Sequence, residues 1–294
     1  MRITVFPGSD FYGIKEALLG YARLPTFLPL PVAVQHGWQR FAHAFEASAK
    51  PPEIWVWSER LARELESFYP SNKIRVVGSF FYYLLENTRR DLPVKVRQGS
   101  ICIPPHSSHL ARTEYSLERY IELLGQMGSK FEPITIMLYY LDMDEHTVRL
   151  YEKAGFQVVS NGTLYDKKFL HNFISHVYDK QFCIYSELGS GVLYASELGV
   201  TPIRINVESK PINRGNPYLK SEMFAATARF DEEFLMTMSE ATIREEMGKK
   251  YVLSPEAVRS LILKNYFTWD FLRTGIRRGG GHVMRRLRFR GGKC

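Results

Sequence analysis

Apolar runs of four to eight residues alternate along this chain with longer segments whose apolar positions recur every three or four residues. The runs predict buried strands, and the segments between them predict helices that cover the sheet. In the first half the strands are Arg2–Phe6, Pro31–Gln35, Glu53–Trp57 and Lys73–Val77, with helices near 13–20 and 59–68. The polar stretch 86–99 (ENTRRDLPVKVRQG) marks a linker, set at 89–99, between a first domain 1–88 and a second domain 100–208. In that second domain the strands are Ser100–Ile103, Pro133–Tyr140, Phe156–Ser160, Gln181–Tyr185 and Ile203–Val207. Helices are expected at 116–127, 146–154, 166–178 and 191–198. Such alternation implies a doubly wound parallel sheet. Residues 209–278 read as helical, with a strong start at Ser254-Pro255-Glu256, and 279–294 as a basic tail. The aromatic stretch Phe267–Leu272 is expected to pack back onto the first domain.

In open parallel sheets ligands bind beyond the carboxyl ends of the strands. Four such ends are polar here. PPHSSH carries His106, Ser107, Ser108 and His109; LDMDE carries Asp142, Asp144 and Glu145; SNGT carries Gly162 and Thr163; and SELGSG carries Ser186, Glu187, Gly189 and Ser190. The last is a strand, a small-residue loop and a helix start, the arrangement in which unpaired N–H groups and the positive dipole end accept an anion. Hydroxyls and glycine N–H groups suit phosphate, the SNGT backbone suits a base edge, and Glu187 or Asp142 suits sugar hydroxyls. Each also has a plain structural reading. The two histidines can serve as turn residues, Asp144 and Glu145 as helix caps, and Asn161-Gly162 as a turn. In the first half, His36 closes a strand at the edge expected to face an interdomain cleft. It reads either as a general base or phosphate contact, or as a buried structural histidine beside Trp38.

Composition narrows the class. With 294 residues and 45% hydrophobic content the chain can bury two ordinary cores. No apolar run approaches the roughly 20 residues of a membrane-spanning helix, and MRITVFPGSD has no signal-peptide core. Three cysteines make no disulfide framework; Cys102 and Cys183 sit in apolar strands and are expected to be core residues of a cytoplasmic protein. The net charge of +8 is confined to the end: residues 271–294 hold eight Lys or Arg and no Asp or Glu. Without those eight, 31 basic residues face 31 acidic ones. A neutral body with a basic tail argues against nucleic acid, and the tail reads either as docking on anionic lipid at the inner membrane face or as a solvated, disordered end.

The arrangement resembles the glycosyltransferase B-type fold, which has two Rossmann-like domains. His36-Gly37 resembles the strand-end HG of several surface-polysaccharide and polyol-phosphate transferases. PPHSSH resembles their donor-phosphate loop. SELGSGVLYASELGVTP resembles the serine–glycine helix start that closes the donor site, with Tyr194 in the helix and Pro202 after it. The resemblance implies an α/β chain of two Rossmann-like domains, the first short, followed by C-terminal helices and the basic tail. It implies a nucleotide-sugar donor held by the second domain and a saccharide or lipid-linked acceptor at the first. His36 and Glu187 would be the catalytic pair. His106, Ser107, Ser108, Asp142, Gly162, Thr163, Ser186, Gly189 and Ser190 would form the donor site.

Two departures stand beside it. The E-x7-E pattern of many retaining members is absent, Glu187 and Glu197 being separated by nine residues, and Asp142-Met143-Asp144 lacks the context of a DxD metal motif. Metal-independent sugar transfer without a cofactor, in cell-envelope or exopolysaccharide synthesis, is therefore the expected activity. The rivals are a sugar-nucleotide epimerase or polyol-phosphate transferase of the same fold, and a non-catalytic nucleotide-binding partner of a membrane polysaccharide assembly.

Overall fold

The computed structural model describes residues 5–6, 8–42, 44–88, 96–108, 111–213 and 221–273. The chain divides into two compact units, residues 1–90 with 246–294 and residues 91–245.

The first unit is built on three parallel strands, β1 (Ala33–Val34), β2 (Ile54–Val56) and β3 (Ile74–Val76), in that spatial order. Three helices accompany them, α1 (Ile14–Tyr21), α2 (Glu59–Leu65) and α3 (Phe80–Thr88). Helix α2 begins where Ser58 can cap it, its hydroxyl accepting the Leu61 N–H. Its buried residues Leu61 and Leu65 pack with Phe6, Ile54 and Val56. Of the expected first strand, residues 2–4 lie outside the described residues, while Phe6 is fully buried in this core. Helix α3 falls where the sequence reading assigns no element and then begins a linker. Phe80 to Leu85 are all buried, so this segment carries no amphipathic period to read.

The second unit holds a five-stranded, all-parallel sheet made of β4 (Ser100–Ile103), β6 (Ile134–Met137), β7 (Gln157–Val159), β8 (Phe182–Tyr185) and β9 (Thr201–Arg204). Its spatial order is β7-β6-β4-β8-β9, that is 3-2-1-4-5 in chain order within the sheet, the Rossmann order without a sixth strand. The connecting helices are α4 (Leu117–Gly125), α5 (Glu145–Lys153), α6 (Phe169–Val177) and α7 (Ser190–Glu197). Ser116 caps α4 and Asp144 caps α5, each accepting an N–H from three residues on. Cys102, Tyr120, Ile136, Tyr151 and Ile184 form one side of the core. Cys102 and Cys183 are fully buried, as expected of core residues, and burial pushes both thiols up.

Two expectations are corrected. The last strand spans 201–204 rather than 203–207 and contains Pro202; β9 is an edge strand, where a proline leaves no ladder bond unmade. Residues from 209 are not wholly helical. β5 (Ala111–Tyr115) and β10 (Ser209–Asn213) pair antiparallel, Ser209 opposite Tyr115 and Asn213 opposite Ala111. Helices α8 (Ser221–Thr237) and α9 (Glu240–Glu246) follow.

From residue 246 the chain belongs to the first unit. Glu246 takes two hydrogen bonds from the Arg60 guanidinium and one from Trp38 Nε1, each 2.8 Å long. Helix α10 (Pro255–Tyr266) is capped by Ser254 and closes on the sheet, its Asn265 reaching the Glu53 carboxylate at 3.3 Å. Beyond it Phe271 packs against the same core as Phe6, as expected for that stretch, while its neighbours Phe267, Trp269 and Leu272 stay exposed. The segment read as one helical region, 209–278, is thus shared between the units.

Candidate functional site

β4 and β8 are the first and fourth strands of the five-stranded sheet, and they lie side by side. The chain leaves them toward opposite flanks of the sheet, so the loops after them open a crevice at the topological switch point. After β8 come Ser186, Glu187, Leu188 and Gly189, and α7 starts at Ser190. Gly189 is extended and contributes no side-chain cap, leaving the first turn of α7 to other acceptors. Gly191 brings this helix start close to β4: a Cβ there would stand 2.9 Å from Ile103 Cδ1. Gly189 differs, since a Cβ on it would meet nothing within 4 Å. Ser186 is 8% exposed, and its hydroxyl makes no hydrogen bond to any described residue.

The loop after β4 is held from two sides. Ser107 N–H donates to Asp142 Oδ2 at 2.8 Å, tying it to the loop after β6. Ser107 Oγ accepts the Thr113 N–H at 3.2 Å, and the His106 carbonyl accepts the Thr113 hydroxyl at 2.8 Å. Ser108 Oγ accepts the Ala111 N–H at 3.0 Å. Both serine hydroxyls expected on a ligand therefore already support the turn into β5. The His106 side chain is exposed, its ring 5.4 Å from that of Tyr139, which lies 4.7 Å from Tyr140. These tyrosines went unnoticed because the run PITIMLYY reads as one strand. β6 stops at Met137, which leaves them on the rim. His109 lies outside the described residues.

Other candidates fall into structural roles. Asp144 caps α5, and the hydroxyl and N–H of Thr147 hold its carboxyl below the usual range. Gly162 has φ +93°, and a Cβ there would lie 2.5 Å from Asp166 Oδ2. The turn closes through the Asp166 N–H on the Thr163 carbonyl at 2.9 Å, with Thr163 itself exposed. It follows β7, two strands away from β4. The Glu187 carboxylate accepts the hydroxyl of Ser209, a partner supplied by β10.

His36 lies in the first unit, past the end of β1. Its Nδ1 stands 3.4 Å from Glu46 Oε1 without the alignment of a hydrogen bond, and Glu46 also accepts from Gln39 Nε2 at 2.9 Å. The rings of Phe11 and Phe45 meet the imidazole edge-on at 5.1 and 5.6 Å. His36 is a quarter exposed while Glu46 is buried, so the pair is a partly open imidazole on a fixed carboxylate. The loops after β4, β6 and β8 thus form one rim. Gly162 and Thr163 stand at its far end, and His36 belongs to the other unit. Among the described residues no group of three His, Cys, Asp or Glu side chains is placed to hold a metal ion.

No family model matches the chain, and no curated protein matches it. Among solved structures it is similar to the UDP-GlcNAc 2-epimerase of Neisseria meningitidis bound to UDP-GlcNAc. The identity is 13% over 75% of this chain and 64% of that one, with a TM-score of 0.38. It is also similar to a GtfA/B complex, at 13% identity over 80% of this chain and 52% of that one, with a TM-score of 0.35. The chain spans less than two thirds of the length of either.

Proposed function

We propose that the second unit binds a nucleotide-sugar through its diphosphate at the β4–β8 switch point, and that the chain is a metal-independent glycosyltransferase of the B type. One observation carries this reading: the buried Ser186 hydroxyl has no partner among the described residues, at the loop that leads, through the uncapped Gly189, into α7. Buried polar groups in folded proteins are nearly always paired, so an orphan beside a helix N-terminus marks a place for an anion. The exposed His106 and the tyrosine pair beside it supply polar and aromatic contacts for the rest of the donor.

In the reaction proposed, an acceptor hydroxyl oxygen forms a bond to the anomeric carbon while the bond from that carbon to the diphosphate oxygen breaks. The acceptor's proton passes to a general base, the role for which His36 is the sequence candidate. The charge left on the diphosphate falls on the α7 N–H groups and the Ser186 hydroxyl. The acceptor is proposed to be a saccharide or a lipid-linked saccharide of the cell envelope. Glu187 is better read as a group that positions the loop through Ser209 than as a catalytic acid.

A thermal-shift screen against nucleoside mono- and diphosphates and nucleotide-sugars tests donor binding, since a ligand of the native state raises the melting point. One nucleotide is expected to stand out. A labelled donor then separates the chemistries: label transferred to an acceptor supports the proposal, and a free epimerised sugar nucleotide would replace it. Turnover without binding at α7 would overturn the site.

A further inference from the structure

We infer that the end of α10 and the loop beside it form an interfacial anchor by which the first unit docks on an anionic lipid bilayer. Phe267 is 83% exposed, Trp269 72% and Leu272 45%, in a segment whose other aromatic, Phe271, is packed into the core. Phe271 fixes the segment, so its three apolar neighbours are held out on a rigid base. The Tyr266 hydroxyl donates to the Pro29 carbonyl at 2.6 Å, which sets the proline-rich 25–29 loop against the same helix end. Phe27, two residues from that carbonyl, is 78% exposed.

Charge selects the occupant. The cations at this helix end, Lys264 and Arg273, are exposed, while Arg23 faces Glu256 near the start of α10. Asp270, the one acid in residues 263–273, is paired with Lys73 at 2.6 Å. Residues 274–294 then add seven Lys or Arg and no Asp or Glu directly after the aromatic cluster. Trp and Phe beside clustered cations suit the headgroup layer, where aromatic rings settle and basic side chains meet anionic phosphates. No helix among the described residues is long and apolar enough to cross a membrane, so this docking is to the surface.

The tryptophans make a direct test available. Trp38, Trp55 and Trp57 are buried at 7%, 0% and 0% exposure, so the emission that lipid can reach belongs to Trp269. The full chain is mixed with vesicles of phosphatidylcholine and phosphatidylglycerol, or of phosphatidylcholine alone, with brominated acyl chains as quencher. Binding to the mixed vesicles, a blue shift and quenching are expected. Phe267→Ser with Leu272→Ser should keep the melting point and lower vesicle partition by roughly tenfold. Binding without quenching would assign attachment to the tail alone and overturn the anchor. So would self-association that the double variant abolishes while vesicle partition is unchanged, or salt-sensitive binding of single-stranded RNA without vesicle binding.

Discussion

Asp142 Oδ2 accepts the backbone N–H of Ser107 at 2.8 Å, so a carboxylate that reads in sequence as a sugar ligand braces two loops of the rim. Ser107 is 2% exposed, and without Asp142 its N–H would be buried and unpaired. Asp142→Ala is expected to cost about 1–3 kcal/mol, and Asp142→Asn, which keeps an acceptor, about half that. Thermal melts of the two variants check this. Unchanged stability with lost nucleotide affinity would return Asp142 to the ligand.

Ser186 is the converse case. Its hydroxyl is buried without a partner among the described residues, so Ser186→Ala should leave the melting point unchanged or raise it slightly. If the hydroxyl meets the diphosphate, the same variant should weaken nucleotide binding by about three- to tenfold. A loss of stability in the free protein would show that the hydroxyl is used by the fold.

The two glycines expected on the ligand should respond unequally. Gly162→Ala forces an alanine into positive φ and drives its Cβ to within 2.5 Å of the Asp166 carboxylate, and should cost about 1–3 kcal/mol. Gly189→Ala meets open space from extended backbone and should cost under about 1 kcal/mol, the difference between the two residues at a helix N-cap. Chemical denaturation of both variants is the check.

Acid stability should depend on Glu53. Burial pushes its carboxyl up, but the Arg75 guanidinium at 2.7 and 2.9 Å, with the N–H groups of Trp55 and Asn265, outweighs burial and holds it below the ordinary 4.5. The unfolded chain then takes up this proton first as pH falls. The contribution is therefore complete above the ordinary value and is lost as pH drops toward the lowered one. Urea melts from about pH 6 to about pH 3 should show wild type losing stability over that window. Glu53→Gln should be weaker by about 2 kcal/mol at the upper end and flatter below. An identical acid slope in both proteins would remove Glu53 from the account.

Much of this was legible in the sequence, and the exceptions have physical causes. The central strands β4, β6 and β8 announce themselves because they are buried and apolar, and their carboxyl-end loops follow from the topology. Helix α3 escapes notice because FFYYLL is buried all round. β5 and β10 escape because ARTEY and SKPIN pair with little buried surface and carry charges where a core strand carries Val or Ile. That omission reaches the site. β5 donates to the hydroxyls of Ser107 and Ser108, and β10 engages Glu187, so three residues with the right chemistry in sequence also have partners in the fold. Among the described residues the Ser186 hydroxyl has no such partner.

The most direct measurement is calorimetric titration of wild type and Gly189→Leu with the nucleoside diphosphate that gives the largest thermal shift. The leucine begins in open space, so the protein should fold, yet its side chain would cover the first turn of α7. The account expects saturable binding to wild type and at least tenfold weaker binding to the variant, with a stability loss of about 1 kcal/mol or less. Equal affinity in the two proteins would contradict it and place the nucleotide, if it binds, away from the β4–β8 switch point.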